Sequence, residues 1–216
     1  MVDAQGLRGP DVAAHLLPTE SPPLSEAAIE AAREALGFDD TPLVLVVGSH
    51  EPRKNHVTVL VAAEQLWRQG KRFRLVFVGA RGWRGDRFDD VVRQLDELGR
   101  PVHVVKAADE ATLWGAYRLA RFTVFPSLSE GFGLPVAESL ASGTPAITSA
   151  FGSMAEVAAS GGALTIDPRD PDSLATAMAS LLDDDELLAE LRRQARARPS
   201  RSWDRYSDET WAHLVD

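Results

Sequence analysis

The sequence predicts an α/β fold, a doubly wound parallel β-sheet with helices on both faces. Three observations carry that prediction. Short apolar runs rich in β-branched residues recur along the chain, and each is followed by a longer segment of helical periodicity. The runs are apolar without alternation, as expected of strands buried on both faces rather than one. Glycines punctuate the pattern, with Gly48 and Gly79 closing two of the runs and Gly37, Gly70 and Gly143 closing helical segments.

Residues 1–24 carry Gly6, Gly9, Pro10, Pro18, Pro22 and Pro23 with no sustained periodicity, and read as a linker or N-terminal arm. Ser25 can cap a first helix that runs to about Leu36. Strands are expected at 43–47, 74–78, 102–105, 122–125, 145–148 and 163–166. Helices are expected at 55–69, 87–98, 110–120, 135–142, 154–159, 172–182, 185–197 and 202–214. Strands alternating with helices make a Rossmann-like sheet, and its ligand is expected beyond the carboxyl ends of the strands.

Composition narrows the function. A chain of 216 residues, 44% hydrophobic and 25% charged, suits one soluble domain. The absence of cysteine excludes disulfides, thiolate metal sites and a cysteine nucleophile. A formal charge of -9 argues against a nucleic-acid partner and against a polybasic membrane clamp. A phosphate ligand therefore needs positive charge concentrated locally, from 23 Lys and Arg of which Lys54, Lys71 and Lys106 are the lysines. The apolar runs fall well short of the roughly 20 residues that span a bilayer. The first residues lack the segments of a signal peptide, so the expected location is cytoplasmic, with no transmembrane segment.

Chemistry gathers after two of the strands. The first leads into Gly48-Ser49-His50-Glu51-Pro52-Arg53-Lys54-Asn55, two adjacent cations at a helix start. The helix dipole already makes that end positive, so the cations are misplaced for stability and well placed for an anion. The alternative is a solvated basic turn with Asn55 as the cap. The fourth strand leads into Glu130-Gly131-Phe132-Gly133-Leu134-Pro135-Val136-Ala137-Glu138. Pro135 suits the first helical position, and Gly131 and Gly133 let backbone N–H groups approach a ligand. Glu130 in the loop and Glu138 one turn into the helix can face one cleft, and a carboxylate accepts paired hydrogen bonds from sugar hydroxyls. Alternatively, Glu138 is a surface residue and the glycines only make a turn.

That second stretch, with Ser139 to Pro145, resembles the Glu-x7-Glu signature of GT-B glycosyltransferases, specifically family 4. The resemblance extends over roughly residues 36–204 and includes Glu51-Pro52-Arg53-Lys54-Asn55, the stretch 109–117, Phe125-Pro126-Ser127 and Ile166-Asp167-Pro168. It implies that Glu138 binds ribose hydroxyls and that Glu130, the catalytic candidate, lies against the transferred sugar. It implies that amides around Phe132 and Gly133, flanked by Gly131 and Leu134, face the sugar and diphosphate. Arg53 and Lys54, beside Gly48, would neutralise the leaving diphosphate, and the loop near Lys106 and Ala108 would border the nucleobase. The resemblance further implies retention, with no metal or other cofactor. The chain departs from many family members in having Ser49 where an arginine follows the strand-ending glycine, and Arg53 is expected to supply that charge.

A GT-B enzyme has two such domains, and residues 25–200 match the C-terminal, nucleotide-sugar-binding one. Residues 201–216 then read as the crossover helix, with Trp203, Tyr206, Trp211 and Leu214 either exposed or folded onto this domain. The expected partners are a nucleotide-sugar donor, a glycan acceptor and an N-terminal GT-B domain, which could hold the protein peripherally at the inner membrane face. GDP-mannose is the favoured donor and UDP-sugars the next. The alternative is a nucleotide-sugar-binding module that transfers nothing without that domain. A nicotinamide enzyme is disfavoured, because no Gly-x-Gly-x-x-Gly follows the first strand.

Other polar residues carry less. The five histidines lack metal-ligand spacing, although His50 ends a strand in the expected cleft. The run 183–186 reads as helix capping rather than a metal cluster. Glu156 could bound the cleft but suits a helix start better.

Overall fold

The computed structural model describes residues 13, 15, 17–37 and 39–215. The first twelve residues of the expected arm lie outside these. Helix α1 (Glu26–Ala35) precedes β1 (Leu43–Val47), and a 3-10 turn (Pro52–Lys54) then leads to α2 (His56–Arg68). There follow β2 (Arg74–Val78), α3 (Asp86–Glu97), β3 (Val102–Val105), α4 (Glu110–Leu119), β4 (Phe122–Phe125) and α5 (Leu134–Ala141). The rest is β5 (Ala146–Ser149), α6 (Gly152–Ala158), β6 (Ala163–Ile166), α7 (Pro171–Asp183), α8 (Asp185–Arg196) and α9 (Trp203–Val215).

The six strands form one parallel sheet in the order β3-β2-β1-β4-β5-β6. The chain winds outward from β1 to β3, returns to lay β4 beside β1, and winds outward the other way. The direction reverses between β1 and β4, where Val44 pairs with Phe122 and Leu45 with Thr123. Such a reversal opens a crevice at the carboxyl ends of the two strands, because their following loops diverge.

The unbroken apolar runs have a direct cause. Along β1, Val44 and Val46 face one side and pack with Leu75, Phe77, α2 and α7. Leu43 and Leu45 face the other, with Val76, Val78 and Tyr117 of α4. Every residue of the strand thus has a dry side to occupy. Full burial of each such side chain is worth about 1.5–3 kcal/mol, so the centre of the sheet is strongly fixed.

Several helix starts carry side-chain caps, at Ser25 and in the acidic run as the sequence marked, and at Asp109 besides. Ser25 caps α1 through Ala28 N–H at 3.2 Å, and Asp109 caps α4 through Thr112 N–H at 2.7 Å. In the acidic run, Asp184 caps α8 through Leu187 N–H at 2.8 Å and Asp183 pairs with Lys71. Three expectations need correction. Leu134, not Pro135, is the first residue of α5, and Gly133 precedes it in the left-handed region at φ 91°. Asn55 is no side-chain cap of α2, because its own φ of 58° separates the 3-10 turn from the helix. Glu156 lies well inside α6, not at its start.

The two chain ends meet. Thr19 N–H donates to the Arg201 carbonyl at 2.9 Å, and Trp203 N–H donates to Glu20. Helix α9 has no buried residue, and Trp203, Trp211 and Leu214 are exposed, with Tyr206 half-buried.

The loops after β1 and β2 touch backbone to backbone at Gly79. A Cβ there would sit 2.1 Å from the Gly48 carbonyl oxygen, which has no flexible end to yield. Gly79→Ala should therefore cost about 1–3 kcal/mol by overpacking. Gly99→Ala is the comparison, since its φ of 69° strains a side chain but nothing lies within 4 Å. Urea denaturation should place Gly79→Ala well below Gly99→Ala. Equal losses would mean that the two loops are not held in contact.

Candidate functional site

The loops after β1 and β4 meet in the crevice, and charge joins them. Lys54 Nζ lies 2.6 Å from Glu130 Oε1, and the Arg53 guanidinium lies 2.9 Å from Glu130 Oε2. Lys54 is buried, with its ammonium 4.8 Å from the centre of the Phe125 ring, whereas Arg53 is about half exposed at 47%. Ser127 Oγ is within hydrogen-bond distance of Glu130 Oε1 (2.6 Å) and of the Arg53 carbonyl (3.0 Å). Burial would push the Glu130 carboxyl up, but hydrogen bonds from Lys54 and Ser127 and the two cationic charges together hold it below the ordinary range. Glu130 is thus ionised at neutral pH. A buried ion pair adds little net stability, yet losing one partner strands a buried charge.

Backbone contacts fasten the cluster. Leu128 N–H donates to the Arg53 carbonyl at 2.8 Å, and Ser153 Oγ donates to the Glu130 carbonyl at 3.0 Å. Asn55 is the clamp: its amide donates to the Pro168 carbonyl at 2.6 Å and the Pro126 carbonyl at 3.3 Å, tying three loops together. Glu51 accepts from Ser49 Oγ and Arg53 Nε, each at 2.8 Å, and those hydrogen bonds lower its carboxyl. Ser49 therefore orients an acid that in turn holds Arg53.

Glu138 belongs to a different arrangement. It lies on α5 and accepts a 2.7 Å hydrogen bond from the Tyr117 hydroxyl of α4. Burial pushes its carboxyl up, and the Tyr117 hydrogen bond opposes that. Tyr117 is fully buried, and burial with the nearby Glu138 charge raises its pKa well above 10, so it stays a donor. The two glutamates of the signature thus have separate partners, one on the β1 loop and one on α4.

The other expected residues divide. Gly48 ends β1 beside the Lys54 side chain, which a Cβ there would meet at 3.7 Å. Gly131 is exposed in open space, Gly133 packs on Met154, and Leu134 is exposed at the start of α5. Phe132 is half-buried and lines a cavity of about 370 Å³ with Ser153 and Glu156. Lys106 and Ala108 are not brought to the charge cluster. They follow β3, the sheet edge, about two strand spacings (~10 Å) from β1. Ala108 instead packs beside the β1–α4 core.

His50 does not enter the cleft. It is buried, stacks on Phe88 with ring centres 4.0 Å apart, and approaches His56 with Nδ1 atoms at 3.2 Å. Ser127, His56 and Tyr117 were not singled out from sequence, and Asn55 was read only as a possible helix cap. Tyr117 did leave a signal, because a hydroxyl inside an apolar helix face needs a buried acceptor. No group of three or more metal-ligating residues occurs among the described residues, and none of their helices is long and apolar enough to cross a membrane.

With this geometry in view, comparison with known proteins is decisive. The family model described as glycosyl transferases group 1 matches residues 28–198. The chain belongs to the group 1 glycosyl transferases. Its relatives include two proteins of Escherichia coli. The O-antigen chain mannosyltransferase B is 35% identical over 173 residues, covering 77% of this chain and 44% of that protein. The serotype-specific mannosyltransferase WbdA is 33% identical over 139 residues, covering 64% of this chain and 16% of that protein. The sucrose-phosphate synthase structure from Thermosynechococcus elongatus superposes with a TM-score of 0.71 at 28% identity, over 86% of this chain and 48% of that one. The chain therefore spans less than half the length of each of these glycosyltransferase relatives. Its six-stranded parallel sheet is the Rossmann-like, C-terminal type of GT-B domain.

The buried histidines give this glycosyltransferase domain a pH-dependent stability. Burial, followed by the His50 and Lys54 charges, lowers the His56 pKa from 6.5 to about 3. Below pH 6.5 the unfolded chain binds the proton that the folded chain refuses, so this contribution is intact above that value. It is lost as pH falls toward 3. Between pH 7.5 and 5 the loss should be about 2 kcal/mol. Urea denaturation at both values should show that loss reduced in His56→Leu, and an unchanged pH dependence would contradict it.

Proposed function

We propose that this domain binds a nucleoside diphosphate sugar and serves a retaining, metal-independent hexosyl transfer to a glycan acceptor. One observation carries the reading. The two cations and Glu130 form a single charge cluster across the β1 and β4 loops, at the reversal of the strand order where ligands of such sheets bind. Lys54 and the forked guanidinium of Arg53 suit the oxygens of a departing diphosphate, which supports transfer without a metal.

In this reading Glu130 stabilises positive charge at the reacting sugar carbon, and the Phe132–Gly133 amides, with Gly131 and Leu134 alongside, face the sugar and diphosphate. Glu138, steadied by Tyr117, takes the ribose hydroxyls, and the loop with Lys106 and Ala108 borders the base. Retention comes from the family resemblance. GDP-mannose is the favoured donor, in keeping with two relatives named as mannosyltransferases, and UDP-sugars are the next. The acceptor is a glycan, held by an N-terminal GT-B domain, and this chain binds donor without transferring it unless that domain is present. Its setting is the cytoplasm.

The test is calorimetric. Lys54→Ala should weaken GDP binding by about 1.5–3 kcal/mol, the worth of a hydrogen bond to a charged group, while barely changing the affinity for guanosine. Glu138→Gln should weaken both, and UDP with uridine serves as the second pair. A Lys54→Ala chain that loses diphosphate and nucleoside affinity equally would remove Lys54 from the diphosphate site.

A further inference from the structure

The two cations that suit a diphosphate are both engaged by the protein's own carboxylates. Lys54 Nζ lies 2.6 Å from one oxygen of Glu130, and the Arg53 guanidinium lies 2.9 Å from the other. Each of these oxygens stands where a phosphate oxygen would have to stand to meet the same donor. Glu51 takes a further edge of the guanidinium, Arg53 Nε, at 2.8 Å. Two cations thus face two carboxylates, and the cluster keeps no formal charge with which to attract another anion.

Burial sharpens the conflict. The Lys54 and Glu130 side chains are each only 10% exposed, whereas that of Arg53 is 47% exposed. The ammonium rests against the Phe125 ring, and the side-chain carbons of Lys54 lie beside Gly48. Lys54 therefore offers little surface to a second anion. A phosphate oxygen reaches it by taking the place of its carboxylate, and the ammonium is then paired as before.

The loop is built so that such an exchange moves one side chain and little else. Ser153 Oγ holds the Glu130 carbonyl at 3.0 Å, and Leu128 N–H holds the Arg53 carbonyl at 2.8 Å, so both backbones stay in place. Ser127 Oγ is within reach of Glu130 Oε1 and of the Arg53 carbonyl, but its single proton serves one acceptor at a time. When the carboxylate leaves, the hydroxyl turns to the carbonyl and no donor is left unmet. The next residue, Gly131, is exposed and has open space around it, which gives the carboxylate room to turn.

We propose that the Glu130 carboxylate is an exchangeable stand-in for the donor's diphosphate, which displaces it from Lys54 and Arg53 and so releases it toward the sugar. The inference rests on the reading that Lys54 and Arg53 receive the diphosphate. It adds an order of events to that reading. Glu130 becomes available to stabilise charge at the sugar carbon only once the phosphates are seated. A free sugar carries no anion to release it, so the assisting charge is coupled to a complete donor.

The test compares the chain with Glu130→Gln, by calorimetry with inorganic pyrophosphate and with GDP, and by urea denaturation of the chain alone. A seat held about nine-tenths of the time by the protein's own carboxylate raises the apparent Kd about tenfold. Glu130→Gln should therefore bind both ligands about tenfold more tightly, with guanosine affinity unchanged. The same variant should unfold at lower urea, because the buried ammonium loses its counter-charge. Tighter binding by a less stable chain is a result that a purely structural role for Glu130 does not give. Pyrophosphate and GDP affinities that fall or stay level in Glu130→Gln would overturn the exchange. Lys54→Ala separates the two claims. If it leaves both affinities untouched, the diphosphate reading itself fails; if it weakens both while Glu130→Gln gains nothing, only the exchange fails. Where Glu130→Gln does not fold, a crystal structure of the unsubstituted chain with GDP decides. Glu130 beyond ion-pair reach of Lys54 supports the exchange, and Glu130 still paired with Lys54 beside a bound diphosphate overturns it.

Discussion

The charge cluster of Lys54, Arg53 and Glu130 constrains everything around it. A buried ammonium is tolerable only with its carboxylate in place, and that carboxylate comes from a loop 76 residues further along the chain. The pairing of β1 with β4 brings the two loops together, and the Asn55 clamp and the Ser127 hydroxyl hold them there. Because the pair is a poor device for stability, its presence at the reversal of strand order argues that the crevice is kept for charge recognition.

Two further contacts order the loops and helices around this cluster. At Gly79 the β1 and β2 ends approach so closely that a Cβ would clash with the Gly48 carbonyl, which sets the place of the segment bearing the cations. On the other side, Tyr117 reaches from α4 to fix Glu138 on α5. The site is therefore built by rigid elements from both halves of the sheet, which suits a reaction whose barrier falls through preorganised charge.

Much of this was legible in the sequence. The six strands were visible because a strand buried on both faces must be apolar throughout, as Leu43–Val47 shows. Arg53, Lys54 and Glu130 were visible because two cations at a helix start, and a glycine-flanked acid, make poor structural sense. What could not be read were the side-chain partnerships. Nothing local pairs Glu138 with Tyr117, or Asn55 with Pro168, because those contacts depend on how α4 and the β6 loop dock. His50 ends the strand next to the cleft, but Phe88 on α3 holds it in the interior, a partnership that its position in the sequence does not show. Lys106 follows a strand like the others, and only the strand order sets it at the edge.

The central claim is that the crevice between β1 and β4 receives the nucleoside diphosphate. Hydrogen exchange, measured by mass spectrometry with and without GDP, tests it most directly. The account predicts slowed exchange in residues 48–55 and 127–133, together with the first turn of α5. Protection confined to other segments, with both loops exchanging as before, would contradict it.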